Sequence, residues 1–114
     1  MPTPKDSRLA GPERARLVRV VRARTDDPIC PLCGYWVDRS LPRLGAAHPL
    51  SSAVDEWMPR SKGGAVVADN CVEVHRACNA IKSDHWPVTP DLLASCQRKV
   101  EGLLSHGGAL ARRW

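Results

Sequence analysis

Apolar positions along this chain form two helical stripes and one alternating run. Leu17, Val18 and Val21 share a face of a helix expected over 12–24, with Pro12 in its first turn and Asp26, Asp27 and Pro28 stopping it. Ser52 to Trp57 alternates and reads as a strand. Leu92, Leu93, Cys96, Val100, Leu103 and Leu104 make the second stripe, in a helix over 89–106. Thr89 supplies its N-cap hydroxyl, Pro90 the first helical position and Asp91 an acid in the first turn; Gly107 ends it.

Between these elements the pattern is broken. Tyr35, Trp36 and Val37 begin a short strand, and Asp38 to Ala47, with Pro42 and Gly45, reads as a loop. Pro59 to Gly64 is a basic, flexible loop that continues through Val66 to Asn70. Asn70 to Val74 suits a short extended or turn segment, and His75 to Ser83 a helix. Residues 1–11 read as a disordered basic arm, 12–114 as a single domain, and Ala109 to Trp114 as a loose basic tail.

Composition sharpens this picture. The chain has 114 residues, only five of them aromatic and none of them Phe. So thin a core calls for a staple, either a metal or disulfides. The length excludes a barrel or a doubly wound sheet. No apolar run approaches the roughly 18 residues needed to cross a bilayer, and the polar start, Met1 to Asp6, has no apolar stretch of a secretory signal. A cytoplasmic protein is therefore expected, with its five Cys reduced or bound to metal. The formal charge of +5 favours polyanionic partners.

Cys30-Pro31-Leu32-Cys33-Gly34 has the form of a knuckle that presents two thiolates to one tetrahedral zinc. Cys78 follows His75 by three residues, a spacing that brings both to one helix face. Cys30, Cys33, His75 and Cys78 thus make a closed set of soft donors suited to structural Zn²⁺, and the staple the core lacks. Cys71 competes for the place of His75 but is less well spaced; Cys96 lies in the apolar stripe and reads as core.

Between the zinc half-sites lie Asp55-Glu56-Trp57-Met58-Pro59-Arg60-Ser61-Lys62-Gly63-Gly64, then Asn70, then His75-Arg76-Ala77-Cys78-Asn79-Ala80-Ile81-Lys82. From about Cys30 to Ser83 this resembles the HNH endonuclease family in its small phage-type form. The resemblance implies an α+β fold: a zinc-stapled ββα-metal core, treble-clef-like, over 30–83. The helices over 12–24 and 89–106 would flank it. A strand near Ala53 to Trp57 and another near Cys71 to Glu73 would precede the helix from His75.

The resemblance also implies roles. Asp55 and Asn79 would hold a catalytic Mg²⁺ or Mn²⁺, and Asn70 would orient the general base or brace the loop. Glu56 stands where the family pattern has a His. It can serve as general base, although glutamate has an unperturbed pKa of about 4.3 against about 6.5 for histidine. Alternatively it is a metal ligand with His48 or bulk water as base, or the site is inactive. Arg60, Lys62, Arg76 and Lys82 are candidate phosphate contacts, and Trp57 is expected to pack under the hairpin. The implied activity is metal-dependent hydrolysis of DNA phosphodiester bonds, most simply nicking, to leave a 5′-phosphate and a 3′-hydroxyl. Small phage-type members accompany DNA packaging machinery, which implies the cytoplasm of a bacterial host. A catalytically inactive nucleic-acid-binding zinc module shares the charge and the zinc knuckle.

Overall fold

The computed structural model describes residues 11–42 and 47–106. Residues 1–10 of the arm expected over 1–11, residues 43–46 of the expected loop and everything from residue 107 onward lie outside the described residues. Among the described residues the architecture is a small α+β arrangement of one two-stranded antiparallel sheet and three α-helices. In chain order these are α1 (Gly11–Arg22), β1 (Ser52–Glu56), β2 (Cys71–His75), α2 (Arg76–Lys82) and α3 (Pro90–His106). No described helix is long and apolar enough to cross a membrane.

An isolated hairpin is marginal in water, so both of its faces must be covered. The register pairs Ser52 with His75, Val54 with Glu73 and Glu56 with Cys71. Side chains alternate across a strand, and the apolar ones divide accordingly. Val54 and Cys71 pack with Leu17 and Val21 of α1. Val74, with Ala53 and Val72 at its margin, joins the larger cluster of Leu32, Val37, Leu50, Cys96, Val100 and Leu104. Fully burying each Leu or Val contributes about 1.5–3 kcal/mol.

Local chemistry accounts for the elements. The Thr89 hydroxyl accepts the Leu92 N–H at 3.2 Å, which caps α3 as its sequence predicts. Cys96, Val100 and Leu104 form the buried line of the expected stripe. The first N–H groups of α2 are satisfied from outside the helix: Arg76 donates to the Ser51 carbonyl and Ala77 to that of Pro49, both at 2.8 Å.

Several boundaries differ from the sequence expectation. α1 starts at Gly11, inside the expected arm, and ends at Arg22. β2 runs through His75, so that residue closes a strand rather than opening a helix. The expected strand at Tyr35–Val37 is a single bridge, Trp36 to Ile29. The β1–β2 connection contains two short 3-10 turns, Arg60–Lys62 and Ala68–Asn70. In each case ladder or turn hydrogen bonds, which hydropathy does not record, decide the limit.

Candidate functional site

The knuckle begins with a reversal. Cys30 N–H donates to the Tyr35 carbonyl at 2.9 Å, and Gly34 N–H to the Cys30 carbonyl at 2.8 Å. Gly34 takes φ +83°, which a side chain would resist, so the glycine after the second Cys is needed there. This turn holds Cys30 and Cys33 against the junction of β2 and α2, where His75 and Cys78 sit three residues apart.

The ligand atoms of Cys30, Cys33, His75 and Cys78 all lie within 4.8 Å of one another, and all four residues are buried. His75 Nδ1 is 3.2 Å from Cys33 Sγ and 3.9 Å from Cys78 Sγ. A tetrahedral ion with bonds of about 2.0–2.3 Å spaces its donors by about 3.3–3.8 Å, close to the 3.2 and 3.9 Å found here. His75 Nε2 donates to the Trp36 carbonyl at 2.9 Å, which leaves Nδ1 as the acceptor facing the sulfurs. Side-chain hydrogen bonds from Cys33 and Cys78 hold the Cys30 thiol far below the ordinary range. The same contacts with Cys30 push Cys33 up to about 12 and Cys78 up as well. Three sulfurs this close do not all ionise without a cation among them. The chain therefore carries a Cys/His cluster fitted to a metal ion such as zinc.

Cys71 is not part of it. Cys71 is buried against α1, and burial, followed by the charge of Glu56, raises its thiol. Cys96 is core, as expected, with its thiol 3.8 Å from the Cys78 carbonyl.

At the other end of the hairpin lies a cleft of about 520 Å³, lined by Asp55, Glu56, Arg60 and Asn79 together with Arg14 and Asp84. The end of β1 contributes the two carboxylates and α2 contributes Asn79. Lys82 Nζ lies 3.4 Å from Asp55 Oδ2 and donates to the Glu56 carbonyl at 3.1 Å. Burial raises the Asp55 carboxyl above the usual carboxylate value; the Lys82 charge opposes this and Glu56 reinforces it. Glu56 Oε1 pairs with Arg60 Nε at 3.4 Å.

Asn70 does not line the cleft. Its amide donates to the carbonyls of Met58 at 2.9 Å and Ala65 at 2.8 Å, and its oxygen accepts Met58 N–H at 3.0 Å. It braces the loop, the second of its two expected roles. Gly64 matters to the same brace, because a Cβ there would overlap the Met58 carbonyl.

Two expectations need correction. Lys82 is a candidate phosphate contact by sequence, but its side chain is 1 % exposed because Asp55 and the Glu56 carbonyl draw it inward. His48, an alternative base, lies outside the cleft and accepts the Leu50 N–H at 3.0 Å through Nδ1 in the turn before β1. Lys62 and Arg76 are exposed, and Trp57 packs at the edge of the larger core as expected.

Arg14, one of the arginines that make the N-terminal helix basic and a candidate for phosphate contact, enters the cleft. The structure also brings in residues the sequence did not single out, beginning with Asp84 in the same cleft. Glu73, buried behind the hairpin, accepts two hydrogen bonds from Arg39 at 2.7 and 2.9 Å and one from Ser52 at 2.7 Å. Burial pushes the Glu73 carboxyl up, but these bonds and the charges of Arg39 and Arg22 outweigh it and leave it below its usual value. No spacing signal marks such pairs. Comparison with known proteins adds no relative: no family model, no curated protein and no solved structure matches the chain.

Proposed function

We propose that this chain is a metal-dependent DNA endonuclease on the HNH pattern, hydrolysing phosphodiester bonds to leave 5′-phosphate and 3′-hydroxyl ends. One observation carries the reading: Asp55, Glu56 and Asn79, three oxygen-bearing side chains from two elements, line a single cleft with Arg60. Two features support it further. The chain has an excess of positive charge, and the Cys/His cluster at the root of α2 is suited to a structural Zn²⁺ that fixes that helix against the hairpin.

Asp55 and Asn79 offer hard oxygen donors suited to Mg²⁺ or Mn²⁺. Such an ion, when bound, offsets charge on the scissile phosphate and the leaving oxygen. Glu56 is a carboxylate of the cleft able to accept a proton from the attacking water, and its pairing with Arg60 aims it. Arg60, with Lys62 and Arg76 at the surface, positions the phosphate backbone without reading sequence.

The test is relaxation of supercoiled plasmid by zinc-loaded protein with added Mg²⁺ or Mn²⁺. Asp55→Asn is the informative variant, since it leaves the buried Lys82 an acceptor whereas alanine would strand that charge. Nicking that needs the added ion and is lost in Asp55→Asn, with zinc content unchanged, is the expected result. Nicking that survives Asp55→Asn would overturn the assignment.

A second reading, a non-catalytic nucleic-acid-binding zinc module, is favoured by a different observation. Both carboxylates already have cationic partners, Lys82 at Asp55 and Arg60 at Glu56. DNA binding with no cleavage under any divalent ion would select it.

A further inference from the structure

The arginines of α1 and its C-terminal turn separate by what they touch. Arg22 donates to the Ser52 hydroxyl at 2.8 Å and lies 3.5 Å from Glu73. Arg24 donates to the carbonyls of Cys71 and Ala68. Both are engaged in docking the helix on the hairpin. Arg16 and Arg19 are exposed.

Arg14 is different. It is half-buried and lines the cleft, and its Nη2 donates to the carbonyl of Val54, the residue before Asp55, at 2.8 Å. Among the described residues this is its one hydrogen bond, and no carboxylate lies within ion-pair distance of it. Arg60, by contrast, is paired with Glu56. A guanidinium has five N–H donors, so most of Arg14's have no protein acceptor. Asp55, Glu56 and Asp84 line the same cleft without pairing with Arg14, so its remaining donors are open to an anion that enters. The planar fork of arginine suits a phosphate held by two parallel bonds.

We propose that Arg14 is a phosphate-binding residue of the cleft, which makes α1 part of the substrate site rather than an appendage. The ligand is a nucleic-acid phosphodiester. The inference rests on the nucleic-acid reading above but not on catalysis.

The experiment uses the full zinc-loaded chain and a short fluorescein-labelled DNA duplex, without added divalent ion, over a series of salt concentrations. Losing one phosphate contact reduces the magnitude of the slope of log Kobs against log salt by about 0.9. Arg14→Gln is expected to show that reduction with a several-fold loss of affinity. Arg24→Gln, which removes docking bonds only, is expected to keep the wild-type slope. Arg14→Lys keeps the charge but loses the fork, so it should keep the slope and bind several-fold more weakly; it serves as the second variant should Arg14→Gln fail to fold. A wild-type slope in folded Arg14→Gln, wild-type affinity in Arg14→Lys, or no DNA binding by the wild type would each overturn the proposal. The plasmid assay separates this from the endonuclease reading. Binding with an Arg14-dependent slope but no cleavage defeats that reading alone, and cleavage with an unchanged slope in Arg14→Gln defeats this inference alone.

Discussion

The two ends of the hairpin treat buried polar groups in opposite ways. Toward the Ser52–His75 end, Glu73, at mid-strand opposite Val54 with its carboxylate bonded to Ser52, has a side chain 6 % exposed and three hydrogen bonds of 2.7–2.9 Å, while His75 is held on both ring nitrogens. Toward the Glu56–Cys71 end, Asp55 and Glu56 are 23 % and 15 % exposed, and their ion pairs are 3.4 Å long. Charge-assisted bonds to carboxylates run at about 2.7–2.9 Å when fully made. The first end has committed its polar capacity to the fold. The second keeps acceptor capacity that faces a cleft. A carboxylate's exposure and the length of its pairing, rather than its mere presence, separate a structural acid from a candidate functional one.

The strongest way to break this contrast is to open the closed end. Removal of a ligand by Cys30→Ser or Cys78→Ser should abolish zinc binding and native structure together. Structural zinc contributes roughly 10–16 kcal/mol in small zinc domains, at least as much as the whole stability of an ordinary one, about 5–15 kcal/mol. Zinc content and circular dichroism are the readouts, and Cys96→Ser should retain the metal. A folded, metal-free Cys78→Ser protein would show that the cluster is not the staple.

At the open end the expected effect falls on rate rather than on folding. Glu56→Gln should lower plasmid nicking by about 10²–10⁴-fold, the range for loss of a positioned general base, while the thermal midpoint stays close to wild type. An equal loss of rate and of fold would mean that Glu56 belongs with the structural acids.

Glu73→Gln is the counterpart and should be the reverse. It removes a charge that Arg39 and Ser52 bond directly, a loss of about 1.5–3 kcal/mol by urea denaturation at pH 7, with DNA nicking per folded molecule unchanged. The Glu73 carboxyl is held below its usual value. Its contribution is therefore complete above the unfolded pKa of about 4.3 and is lost as pH falls through the folded value. Between pH 6 and 8 the cost of Glu73→Gln should accordingly be flat.

How much of this was legible in the sequence follows the same division. The Cys30/Cys33 and His75/Cys78 half-sites, the strand holding Asp55 and the capped stripe of α3 rest on fixed spacings, and the structure assembles them as read. The cationic partners rest on none. Arg14, Arg22 and Arg24 reach carbonyls or side chains at least 30 residues away, and Lys82 reaches back 27 to Asp55. A long cationic side chain has no periodic signature of where its head will go. Lys82 thus reads in the sequence as a phosphate contact, while nothing there singles out Arg39 and Glu73. Asp55 and Glu56 were visible in the sequence; Asp84, and the pairing of Lys82 and Arg60 with those two acids, were not.

The smallest effect is also the sharpest test of how those electrostatics balance. At Asp55, burial is the largest influence and raises the carboxyl, while Lys82 pulls against it. Raised in the folded state, this group favours folding while protonated, and that contribution is lost as pH rises through the folded value. Asp55→Asn is neutral at every pH and keeps an acceptor for Lys82. The stability difference, variant minus wild type, should therefore rise with pH above the unfolded aspartate value of about 3.9 and then level. Any acid release of zinc is common to both proteins and cancels in the difference. Urea midpoints of the pair in steps from pH 4 to 8 suffice. A difference that is flat across that range would mean that the Lys82 pair offsets burial, and Asp55 would then be an acid committed to the fold, as Glu73 is.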